Sequence, residues 1–162
     1  AVKAMFYLLL GRRELVETAH EAHKTAVLAS TTIAISQRER RFIDALSVWL
    51  KGYPKQALGQ FEDILAQHPD DTLAMKLDHA IRFTLGDSAG MRAMVEQVMP
   101  AYESNHPGRG YLLGCHAFGL EETGDWNRVA EFYASRARGG VARAGRSARR
   151  WQCPEALKRG SN

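Results

Sequence analysis

At 162 residues the chain is long enough to bury one substantial core and too short for two large domains. Hydrophobic residues at 45% and charged residues at 25% match soluble globular averages, which excludes collagen-like, wholly disordered and disulfide-scaffold classes. The net charge of +4 is unevenly held: residues 127–162 carry nine Lys/Arg against Glu131 and Glu155, leaving 13 basic and 16 acidic residues in 1–126.

Met5–Leu10 is the longest wholly apolar run, far below the roughly 20 residues that span a bilayer. Only Lys3 precedes it and Gly11-Arg12-Arg13-Glu14 follows, so no signal peptide is expected. Two cysteines, Cys115 and Cys153, make neither a disulfide framework nor a four-thiolate zinc site, and the expected location is cytoplasmic.

Apolar residues at helical spacing predict helices at about 1–10, 13–29, 37–51, 54–67, 71–85, 88–104, 110–123 and 126–137. The first is apolar almost all round, so a face of it should pack on its neighbour, on another repeat or on a second copy; self-association is one expectation. Ser36-Gln37-Arg38-Glu39 is a capping box opening the third helix, which carries Phe42, Ala45, Leu46 and Trp49. Gly11, Gly52, Gly86 and Gly124 each end an apolar stretch, with spacings of 41, 34 and 38 residues, so four helical hairpins should bend there. Met91 and Val95 stand where Ala57 and Phe61 stand one repeat earlier, predicting a second repeat that is looser or locally reshaped. From Arg138 onward only Val141, Trp151 and Leu157 are large and apolar, so 138–162 reads as a disordered basic Arg/Gly/Ala-rich tail following a repeat domain over 1–137.

The 34-residue interval is the tetratricopeptide period, and Gly52, Ala57, Phe61 and Pro69 match the second half of such a unit. Glycine permits the bend, the small alanine allows close approach, phenylalanine fills the gap and proline stops the helix. Trp49-Leu50-Lys51-Gly52, Phe61-Glu62-Asp63-Ile64-Leu65, His68-Pro69-Asp70-Asp71, Phe83-Thr84-Leu85-Gly86-Asp87 and His116-Ala117-Phe118-Gly119-Leu120-Glu121-Glu122 together resemble the tetratricopeptide repeat protein 38-like family over roughly residues 1–126. The resemblance implies an all-α, right-handed solenoid of antiparallel hairpins and an architecture rather than a chemistry. Family members continue with further repeats, including a histidine-rich helix, where this chain has its basic tail; a truncated or frame-shifted member is the expectation.

A solenoid exposes the first helices of its hairpins on a concave face, so Trp49, Arg82, Phe83 and His116 are the candidate partner-binding residues for a protein or peptide. Trp49 and Phe83 occupy equivalent positions three residues before Gly52 and Gly86, and Arg82 and Lys51 would charge the rim. The plainer account of such aromatics is core packing. The alternative function is a helical enzyme or metal protein using His79, His116 and Glu121 on neighbouring first helices. Against it, a histidine on a helix seam is more often a hydrogen-bonded packing residue, and zincin, paired-cysteine and phosphate-loop motifs are missing. His20 and His23 share a helix face with Glu17 and Glu21 but show no third ligand at metal spacing. Cys115 and His116 are consecutive and point about 100° apart on a helix, so they form no nucleophile pair. No cofactor, metal or membrane is expected, and the tail's single aromatic, Trp151, argues against nucleic acid.

Overall fold

The computed structural model describes residues 1–138. Eight α-helices follow in order: α1 Val2–Leu9, α2 Glu14–Thr32, α3 Gln37–Leu50, α4 Pro54–Gln67, α5 Thr72–Thr84, α6 Ser88–Val98, α7 Arg109–Glu122 and α8 Trp126–Arg138. The fold is all-α, with no strand among the described residues. Residues 1–125 form one compact unit, and α8 belongs to a second that begins at Trp126. Most of the expected tail, residues 139–162, lies outside the described residues.

Local chemistry sets the helix ends. Ser36 accepts from the Glu39 amide while the Glu39 carboxylate accepts from the Ser36 amide, the reciprocal box expected at the start of α3. Asp71 caps α5 through the amides of Leu73 and Ala74, and Asp87 caps α6 through that of Gly90. The four predicted bends are real: Gly11, Gly52, Gly86 and Gly124 are the positive-φ glycines of the described chain. At Gly52 the backbone closes a Schellman motif, with Gly52 N donating to Trp49 O and Tyr53 N to Val48 O. The same pair of bonds recurs at Gly86 and at Gly124, so one device turns the chain three times.

One expected helix, 88–104, is shorter than the periodicity suggested. Pro100 has no amide to donate and crowds the residue before it, and α6 gives way to a 3-10 turn over Met99–Ala101.

The core of the first unit runs through α1 to α7. Phe61 and Ala57 are fully buried, and Phe61 meets Phe42 of α3 edge to face at 5.6 Å. Met91 and Val95 are also fully buried, so of the two expectations for the second repeat its packing is reshaped and not loosened. Gly119 explains how: a side chain there would press on the Arg92 backbone at 3.2 Å, so its hydrogen lets α7 lie close against α6.

Within residues 1–125 each helix packs on the next, and further pairings join helices that are not consecutive. Helix α5 packs on α7, and α1 packs on both α3 and α5. Arg38 at the start of α3 forms a bidentate pair with the Asp71 cap of α5.

Candidate functional site

Helices α5 and α7, two apart in sequence, lie side by side and parallel. Their contacts advance together along both chains. The Lys76 ammonium reaches Cys115 Sγ at 3.6 Å, His79 Nε2 bonds Cys115 O at 3.2 Å, and the His79 ring lies 6.0 Å from that of Phe118. One turn further, Phe83 meets Phe118 edge to face at 5.2 Å.

The periodicity of α7 puts Tyr111, Phe118 and Glu122 on one outward stripe, with Gly114 between the two aromatics. Phe83 is 51% exposed and Tyr111 67% exposed, while Phe118 is half-buried. A Cβ on Gly114 would meet nothing within 4 Å, so the stripe has an open notch between its aromatic rings. Lys76 stands exposed toward the N-terminal end of this face and Glu122 toward its C-terminal end.

Of the four residues expected to contact a partner, only Phe83 stands well out from the surface. Trp49 is half-buried against the core, on the helix that α1 packs against. Arg82 is held inward rather than presented as rim charge: it donates to Asp78 Oδ1 at 2.7 Å, Asp87 Oδ2 at 2.8 Å and Glu62 Oε1 at 2.6 Å, with 12% of its side chain exposed. His116 is buried at the α6–α7 seam, its Nε2 3.2 Å from Glu96 Oε1. It supports the packing beneath the face and does not line it.

The Arg82 node joins α4, α5 and the cap of α6. Asp78 is fully buried and its second oxygen, Oδ2, has no hydrogen-bond partner among the described residues. Burial pushes its carboxyl up to about 6, against the pull of Arg82. A Cβ at Gly90 would collide with the Asp87 carboxylate and the Arg82 guanidinium, so that glycine makes room for the node. Beside it, a cleft of about 840 Å³ is lined by Lys55, Gln56, Glu62, Leu85 and Asp87.

Burial lowers the His79 imidazole to about 4, so it is neutral at pH 7 and serves as a hydrogen-bonded wedge between α5 and α7. Among the described residues no group of three His, Cys, Asp or Glu is arranged to hold a metal ion, and that includes His79, His116 and Glu121. The same holds for His20 and His23 with Glu17 and Glu21. Cys115 is a buried free thiol whose pKa burial raises, as expected of a small apolar packing residue.

Sequence reasoning missed Tyr111, Gly114 and Phe118 as a surface set. The signal was present in their spacing of three and four residues, but nothing local says which stripe of α7 faces outward. Among the described residues no helix is long and apolar enough to cross a membrane. No family model matches the chain, and no solved structure matches it.

Proposed function

We propose that this chain is a non-catalytic interaction module, a short tetratricopeptide-like solenoid that binds a protein or peptide partner on the face formed by its first helices. The observation that carries the reading is the aromatic pair of exposed Phe83 and half-buried Phe118, which bridges the parallel helices α5 and α7. Parallel stacking of equivalent helices is the relationship that a repeat array requires. The repeated Schellman bends at Gly52, Gly86 and Gly124 give the same support, as does the resemblance to the tetratricopeptide repeat protein 38-like family. Large aromatic rings held at a half-exposed seam supply apolar area at little cost in side-chain entropy, which suits them to be anchors. A preformed helical surface adds little ordering cost on the module's side.

A photo-cross-linking residue at position 83 tests the reading, with the same residue at exposed Ala66 on α4 as control. A discrete adduct formed from position 83 and not from position 66, and suppressed by Phe118→Ala, is expected. Equal labelling from both positions would contradict an interaction face on α5 and α7.

A further inference from the structure

The α5–α7 face has features that distinguish among the shapes a partner segment can take. Between the levels of Lys76 and Glu122 lie Phe118 and Phe83, whose rings meet and offer no side-chain donor or acceptor. An extended peptide laid there would leave its backbone amides and carbonyls facing apolar surface, and the backbone groups of α5 and α7 are already used within their helices. A helix arrives with its backbone bonds satisfied and presents side chains only.

Spacing and charge narrow the class further. Tyr111 and Phe118 stand seven residues apart, roughly 10 Å along the axis, which matches the i and i+7 positions of an opposing helix, and the Gly114 notch lies between them. Lys76 stands level with Cys115, and Glu122 lies seven residues beyond that level. Lys76 and Glu122 therefore place opposite charges about two turns apart on the face, on either side of Phe118.

We propose that the occupant of this face is an amphipathic α-helix of a protein partner, with an acidic side chain toward Lys76 and a basic one about two turns away toward Glu122. This rests on the interaction-module reading. The helix lays two or three large apolar residues over Phe83, Phe118 and the Gly114 notch, and its charged pair fixes direction and register.

The test uses the whole chain and three fluorescein-labelled peptides of about 18 residues, long enough to hold a helix. The first is an alanine-rich amphipathic helix with Leu on one face and Glu and Lys seven residues apart. The second replaces its Glu with Lys, and the third keeps the apolar residues but is held extended by prolines. Fluorescence anisotropy should show the first binding at least about tenfold more tightly than the other two. Phe83→Ala should weaken it by about tenfold, and Lys76→Glu should transfer the preference to the second peptide. Phe83→Asp, at a half-exposed position, serves as a second variant, with far-UV circular dichroism confirming that each remains helical. If the extended peptide binds as well as the helix and depends on Phe83, the helical partner is wrong while the interaction face stands. Absence of any Phe83-dependent binding would overturn both.

Discussion

Asp78 and Arg82 lie one helical turn apart on α5 and share a 2.7 Å hydrogen bond, yet the aspartate is wholly buried and its other oxygen is unpartnered. Among the described residues the guanidinium is thus the only hydrogen-bond partner of the aspartate's side chain, while it also serves Glu62 and Asp87. Three helices are joined by a cation that its own carboxylates outnumber.

Removing that cation leaves a buried carboxylate uncompensated. Arg82→Ala should cost about 3–5 kcal/mol, whereas Asp78→Asn, which removes the desolvated charge and keeps the shape, should cost less than about 2 kcal/mol. Urea unfolding of the two variants checks the order, and a larger loss for Asp78→Asn would reverse the assignment.

Acid titration should show two opposing contributions. Asp78 has a folded-state pKa raised to about 6, so the stability it contributes is fully present below the ordinary carboxylate value of 3.8 and is lost as pH rises through 6. His79 is lowered from 6.5 to about 4, so its contribution is present above 6.5 and is lost as pH falls through 4. Between pH 4 and 6.5 the two offset one another. Asp78→Asn should therefore steepen the loss of stability on acidification from pH 7 to 4.5, and His79→Gln should flatten or invert it. Thermal midpoints at the two pH values, read for wild type and both variants, check the signs.

Two glycines should respond in opposite directions to alanine. Gly52 has φ +88° in a Schellman bend, where a Cβ is strained, so Gly52→Ala should destabilise by about 1–2 kcal/mol. Gly59 lies inside α4 with open space around its Cα, so Gly59→Ala should stabilise by up to about 1 kcal/mol. Denaturant midpoints separate the two.

The phenylalanines divide between core and surface. Phe61→Ala removes a fully buried ring from the α3–α4 seam and should cost about 3–5 kcal/mol. Phe83→Ala should cost less than about 1.5 kcal/mol, because half the ring already faces water. Calorimetric midpoints give the comparison, and similar losses at both sites would mean that Phe83 is core.

What the sequence made legible was local or periodic. The Ser36–Glu39 box, the four bending glycines, and the burial of Ala57, Phe61 and Cys115 all follow from spacing within one hairpin. Contacts between hairpins were harder to read, because they depend on how one helix registers on another. Arg82 looked like rim charge although Asp78 stands four residues before it, since nothing local says that this stripe of α5 is buried, and Glu62 joins from α4. His116 looked surface-directed for the same reason, while its partner Glu96 lies 20 residues away on α6. Gly119 and Gly90 gave no sign of the close approaches they permit, because a glycine inside a helix reads only as a lowered propensity.

The most direct test of the partner face is a map of backbone amide shifts in the labelled chain as the acidic-basic amphipathic helix is added. The account predicts that the largest changes cluster at Lys76, Phe83, Tyr111, Gly114 and Phe118. Changes centred instead on Lys55, Gln56 and Glu62, or spread evenly over the helices, would contradict it.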